Sequence, residues 1–318
     1  MAAVGFHASH EQIPPSELLG VVREAAAAGF TRAMCSDHFS PWSSRQGESG
    51  FAWSWLGAAL ATTDLPFGVV NAPGQRYHPT VVAQAAATLA QMFADRFWVA
   101  LGSGEFSNEH VTGAPWPDKA RRNARLRECV EVIRALLAGE EVDHEGLVRV
   151  DRARLWTLPE TAPPLLGAAV SAETARFAGS WADGLITVAQ PHDTLRRVLE
   201  AFSEGGGEDK PRALQVHLSW APKDAEALAI AYDQWRTMVF GPPLSWDLAT
   251  VEQFDQAAKH VRAEDVAEAI LVSSDLERHA ASLRDYAELG FDELYLHHVG
   301  KEQRRFVEAF GREVLPQL

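Results

Sequence analysis

Residues 164–202 read PLLGAAVSAETARFAGSWADGLITVAQPHDTLRRVLEAF. Two short apolar runs, PLLGAAV (164–170) and GLITVAQ (184–190), each precede a helical stretch. The first helix, SAETARFAGSWA, has Ser171 at its N-cap and Glu173 in its first turn, where a carboxylate suits the helix dipole. The second helix is HDTLRRVLEAF. Both runs are apolar nearly throughout, as expected of strands whose two faces are covered by helices. This order predicts parallel strands joined by helical crossovers.

The same alternation runs outward in both directions. Upstream, strands are predicted at 3–8, 31–37, 66–73 and 97–104. Between them lie a helix opened at Pro15 and stopped by Gly29, an apolar helix at 51–63, and the helix PTVVAQAAATLAQMFAD. A fourth helix at about 120–138 spaces Leu126, Val130, Ile133 and Leu137 by four, three and four. Downstream, ALQVHLSWAP (213–222) precedes a helix from Asp224, and LERHAASLRDYAELG precedes a last strand at 293–299 and a closing helix. Two stretches interrupt the pattern. Residues 141–159 alternate around Glu145-Gly146 and predict a small β-hairpin. Residues 241–268 carry Pro242-Pro243, several charges and one short helix. Eight strand–helix units predict an α/β protein, a (β/α)8 TIM barrel, with the second insertion near strand seven. No Gly-x-Gly-x-x-Gly follows the first strand, which weighs against an open doubly wound sheet. Barrels of this length form one domain, so 1–318 is read as a single unit.

Composition narrows the function. Acidic side chains outnumber basic ones by 43 to 29, a formal net charge of -14. Such a surface repels nucleic-acid backbones and anionic membranes. Two cysteines, Cys35 and Cys129, cannot make a disulfide framework. No apolar run reaches the roughly 20 residues that span a bilayer. The N-terminus lacks a basic region followed by an apolar one. The expectation is a cytoplasmic enzyme with a small-molecule substrate, no nucleic-acid partner and no membrane.

Active sites of such barrels lie at the C-terminal strand ends. That rule selects His7, His10 and Glu11; Ser36 to Trp42; Asn71; Gly102 to Glu105 with Asn108 and Glu109; Ala168 to Ser171; Gln190; His217 to Trp220; and His297-His298. Asp37-His38 is the sharpest pair, because a carboxylate beside an imidazole can orient it and raise its basicity. Trp42 can roof a flat ligand or simply pack a loop. Gly102-Ser103-Gly104-Glu105 lets backbone amides approach an anion, although a tight turn reads the same way. Ser171 and the amides that follow offer a second cradle. His297 and His298 must point to opposite faces of their strand, so at most one faces the barrel interior. No His, Asp or Glu cluster has metal-ligand spacing, so no metal is assigned.

These motifs share one order and spacing: Ala8-Ser9-His10-Glu11-Gln12, Ser36-Asp37-His38-Phe39-Ser40-Pro41-Trp42, Arg76-Tyr77-His78-Pro79, Gly102-Ser103-Gly104-Glu105 with Asn108-Glu109, and Gln303-Arg304-Arg305-Phe306. Together they resemble the bacterial-luciferase-like superfamily of flavin and deazaflavin oxidoreductases, and within it the F420-dependent glucose-6-phosphate dehydrogenase branch. The resemblance implies a tricyclic cofactor, FMN or F420, in the barrel mouth. It also implies a bulge with a non-proline cis peptide near Val69-Val70-Asn71. His38 is then the acid/base at the substrate oxygen, Trp42 covers the site, and Glu105 lies against the ring. Asp37 binds the cofactor or orients His38. Val69, Val70, Asn71, Ser103, Gly104, Asn108, Ala169, Val170 and Ser171 make up the rest of the implied cofactor site. A homodimer is expected from the same resemblance.

The chain also departs from that branch. Gln190, Gln256 and Ala269 stand where the sugar-phosphate enzymes carry cations, so glucose 6-phosphate is disfavoured as substrate. Val170-Ser171 replaces a glycine pair. The openings GFHASHEQ and VVNAPGQRYHP lean towards an FMN-using side group, so FMN and F420 both stay open, with a slight lean to FMN. A hydride-transfer oxidoreductase is the first reading, an FMN monooxygenase the second, and a metal-dependent barrel hydrolase a distant third.

Overall fold

The structure, a computed structural model, describes residues 2–318. Its first four strands are β1 (Ala3–Ala8), β2 (Arg32–Ser36), β3 (Phe67–Asn71) and β4 (Phe97–Leu101). An antiparallel hairpin follows, β5 (Val142–Glu145) with β6 (Arg149–Ala153), and then β7 (Leu165–Ala168), β8 (Gly184–Val188), β9 (Arg212–Trp220), β10 (Leu271–Ser273) and β11 (Glu293–His298). The helices are α1 (Pro15–Ala27), α2 (Ala52–Thr62), α3 (Pro79–Met92), α4 (Phe106–Glu109), α5 (Lys119–Leu137), α6 (Ala172–Gly179) and α7 (His192–Phe202). They continue with α8 (Asp224–Trp235), α9 (Leu244–Asp247), α10 (Val251–Ala257), α11 (Ala263–Ala269), α12 (Leu276–Glu288) and α13 (Gln303–Glu313).

Strands β1, β2, β3, β4, β7, β8, β9 and β11 pair in that order, all parallel, and β11 returns to β1. The sheet therefore closes into a (β/α)8 TIM barrel. Alternation along each strand sorts the side chains into two cores. Outward-facing residues such as Phe6, Cys35, Val69 and Val99 pack against the helices. Inward-facing Met34, Trp98, Ala100, Leu166, Ile186, Ala213 and Tyr295 fill the barrel interior. No helix among the described residues is long and apolar enough to cross a membrane.

The hairpin lies where the sequence placed it and is tied to α5, whose Glu128 accepts from Leu147 N at 2.6 Å. The 241–268 stretch holds α9, α10 and most of α11 rather than a single helix. It is followed by β10, which pairs with the last three residues of β9 and extends the sheet beyond the ring. The expected bulge with a cis peptide at Val69-Val70-Asn71 is absent. There β3 stays regular, in unbroken register with β4 through Asn71 and Leu101, and the cis bond among the described residues is Pro242-Pro243.

Gly68 shows how tightly the interior is filled. A Cβ at this position would lie 1.9 Å from the Trp98 indole, a rigid ring locked against Tyr295. Gly68→Ala is expected to destabilise the fold by about 1–3 kcal/mol through overpacking. Gly57→Ala, in α2 with no atom within 4 Å of the new Cβ, is expected to stabilise it by about 0.5–1 kcal/mol. Urea midpoints of the two variants measure both.

Candidate active site

The C-terminal strand ends enclose a cavity of about 240 Å³. His38 follows β2 and lines it. Its Nδ1 donates to Glu11 Oε1 at 2.5 Å, and Ser9 Oγ donates to Glu11 Oε2 at 2.8 Å. Glu11 comes from the loop after β1 and is almost wholly buried. Burial opposes charge on both partners, but their mutual attraction prevails. The Glu11 carboxyl is pulled down to about 2, and the His38 imidazole is raised above its ordinary value.

Trp42 sits edge-on to His38 with ring centres 4.9 Å apart. Its amide donates to Gln46 Oε1 at 2.8 Å, and Phe254 of α10 backs its ring at 5.3 Å. Ser43 and Ser44 both donate to Asp255, so α10 fixes the loop that carries Trp42. Glu105 follows β4 and lines the same cavity, and burial raises its carboxyl towards the neutral form.

Asp37 does not orient His38. The pleat sends its side chain away from the imidazole, where Oδ2 accepts from Asn71 Nδ2 at 2.9 Å and pairs with Arg76 at 3.3 Å. Glu11 takes the orienting place instead. The sequence held that residue among the strand-one candidates and gave it no role.

Of the residues the sequence singled out, Asp37, His38, Trp42, Val70, Asn71, Ser103, Gly104, Glu105, Asn108, Ala169 and Val170 line the cavity. Asn108 Oδ1 accepts from Phe39 N at 2.8 Å and pins the His38 loop. Val69 and Ser171 do not line it. Val69 faces outward into the helix layer, one residue out of phase with Val70. Ser171 turns its hydroxyl to the first turn of α6, accepting from Thr174 N. Trp53, Trp55 and Trp220 belong to the surrounding core, whereas Trp235 and Trp246 line the cavity.

Three histidines that the strand-end rule selected, His7, His217 and His297, line the cavity floor. His7 and His297 stack with centres 4.2 Å apart, and His217 lies 5.2 Å from His297. Gln215 bridges His217 and His297, while Gln12 Oε1 meets His297 Nε2 at 3.0 Å. Burial holds all three imidazoles neutral, with His7 near 3 and His217 near 4. His298 points outward and stacks on Phe306, as the pleat requires. Lys119, at the start of α5, also lines the cavity; nothing in its local sequence marks it.

Residues 1–293 match the family described as luciferase-like monooxygenase. The chain belongs to the luciferase-like family. This luciferase-like chain is 34% identical over 329 residues to an F420-dependent glucose-6-phosphate dehydrogenase of Beutenbergia cavernae, covering 100% of this chain and 98% of that one. The corresponding enzyme of Intrasporangium calvum is 35% identical over 341 residues, covering 100% and 99%. A solved F420-dependent secondary alcohol dehydrogenase, in complex with an F420-acetone adduct, superposes with a TM-score of 0.93 at 28% identity, over 99% of this chain and 98% of that one. The protein is a luciferase-like oxidoreductase.

Glu11→Gln removes the charge that holds the proton on His38 and leaves the burial. The His38 imidazole of the variant is therefore expected to titrate at lower pH than in the wild type, read by histidine NMR. The ion pair stabilises the fold fully between the ordinary values of 4.5 for the carboxyl and 6.5 for the imidazole. Below that window its contribution is lost as Glu11 protonates towards about 2. Above it, the contribution is lost as pH rises through the raised His38 value. Melting curves at stepped pH should show the wild-type advantage peaking inside the window.

Proposed function

We propose that this protein is an F420-dependent oxidoreductase that moves a hydride between the deazaflavin and a small alcohol or carbonyl substrate. The carrying observation is the Glu11–His38 pair, which engages Nδ1 of the imidazole and leaves Nε2 to hold or move a proton at the substrate oxygen. The names of the relatives support F420 over the FMN that the local sequence favoured.

The residues present fit a flat ring with a polar edge. Asp37 Oδ1, Asn71 Oδ1, Glu109 Oε1 and Thr187 Oγ1 are buried without a hydrogen-bond partner, and all four residues line the cavity. Buried acceptors of this kind call for donors on a ligand. Val70, Ala168, Ala169, Val170 and Ile186 supply apolar surface for a ring face. When bound, the deazaflavin supplies the carbon that takes up or releases the hydride.

The chain's own residues supply the rest. Glu11 holds the imidazole in place and favours its protonated form, so His38 can take the alcohol proton during oxidation or return one to a carbonyl. Trp42 covers the substrate and keeps water from it. Glu105, biased towards neutral, donates a hydrogen bond beside the ring instead of adding a second negative charge. Lys119 is the lone Lys or Arg among the described lining residues. Such a lining suits an uncharged alcohol or ketone better than a sugar phosphate.

Titration of the pure protein with F420 and with FMN, followed by ring absorbance and fluorescence, tests the cofactor. Tight F420 binding with weak FMN binding is expected; the reverse pattern would overturn the reading, and aerobic turnover with reduced FMN would replace it by the monooxygenase alternative. With a substrate found by screening secondary alcohols, His38→Ala should lower turnover by about 10²–10⁴-fold, while F420 affinity changes little. Unaltered turnover would remove His38 from the chemistry.

A further inference from the structure

One cavity group has no part in the reaction proposed above. The Lys119 ammonium donates to Ser103 Oγ at 2.6 Å and lies 4.7 Å from the Trp246 ring centre. Among the described residues it makes no ion pair, whereas Arg45, Arg76 and Arg134 are each matched to a carboxylate. A part-buried cation without an anion is costly to keep. Burial, then Arg122 on the same helix, lowers its proton affinity to about 8; Glu173 on α6 and Glu105 after β4 act the other way. Asp247 on α9 accepts from Trp116 Nε1 at 3.0 Å. With a net charge of -14, the molecule has no general attraction for anions, so any such affinity must be built locally.

The surroundings fit an oxyanion. Ser103 stands between Gly102 and Gly104, and Gly104 takes φ +82 in a turn where a Cβ would press on Glu109 Cγ at 3.2 Å. The backbone there is open to close approach by a ligand. Glu105, two residues on from Ser103, lines the same cavity as His38 and Lys119. An anion at Lys119 would meet Ser103 Oγ after β4, whereas His38 is held by Glu11 from the loop after β1.

Resting on the F420 reading, we propose that Lys119 Nζ and Ser103 Oγ seat the phosphate group of the bound ring cofactor. The hydroxyl that now accepts from Lys119 would donate to the phosphate, and the ammonium would pair with it. The seat then uses the lone Lys or Arg among the described lining residues, which leaves neither for a phosphate on the substrate.

The test compares F420 with its phosphate-free deazaflavin riboside, using fluorescence titration of wild type, Lys119→Met and Lys119→Arg. The wild type should bind F420 more tightly than the riboside. Lys119→Met should weaken F420 binding by about 10- to 100-fold, the usual worth of hydrogen bonds to a charged group, and leave riboside binding unchanged. Lys119→Arg should keep most of the preference. In the wild type the preference should fade as pH rises through about 8. Equal loss for both ligands in Lys119→Met would overturn the proposal, because the side chain would then only shape the cavity. Unchanged F420 binding together with lost turnover of a sugar phosphate would also overturn it, by assigning the cation to substrate. If neither F420 nor the riboside binds, the F420 reading itself fails, and FMN against riboflavin repeats the comparison for the seat.

Discussion

Closure of the strand ring is the constraint on which the site depends. Pairing of β11 with β1, by the register Ala3 to Glu293 through Phe6 to Leu296, joins the two ends of the chain. That seam stacks His7 on His297 and brings Gln12 to His297 across 285 residues. It also fixes where the loop after β1 emerges, which decides whether Glu11 can reach His38. The interior packing beneath, with Trp98 and Tyr295 plugging the barrel, gives the cavity a firm base. The strands thus set where each loop leaves the barrel, and Glu11, His38 and Glu105 lie in those loops within a few residues of a strand end.

The insertion after α8 completes the cavity from above. Asp255 accepts from two serines of the His38–Trp42 loop, Phe254 backs Trp42, and Trp116 donates to Asp247 on α9. The exposed ones, Ser44 to Asp255 and Trp116 to Asp247, each contribute little by themselves. Their distribution over three loops matters more, because it holds the aromatic cover in register with the strand ends. The barrel thereby gains a wall that its regular repeat does not provide.

Most of the architecture was legible because βα periodicity is a local property. Strand β1 and the helix from Pro15 came directly from apolar runs and stop residues. The sequence missed β10, three residues long and stabilised only by pairing with the end of β9. It also placed Val69 in the site beside Val70, an error of one step in pleat phase. The sequence put His38, Trp42 and Glu105 at the strand ends that line the cavity because they follow strands and belong to a recognisable motif. Glu11 escaped a role because its partner lies 27 residues away, and Lys119 because its partner Ser103 is 16 residues upstream. The tryptophans that line the cavity, Trp235 and Trp246, come from segments whose approach to the mouth depends wholly on tertiary packing.

The neutral histidine floor has a consequence for watching this protein at work. His7, His217 and His298 take up a proton only near pH 3 to 4, and burial depresses His297 well below its ordinary value too. None of these rings changes state in neutral solution, so each gives a constant magnetic signature there. Against those rings, the half-buried His38 is the cavity histidine whose proton affinity is raised rather than lowered. The molecule carries its own internal reporter, and the resonance of a single ring can register ligand entry, neighbour replacement and proton loss at the site.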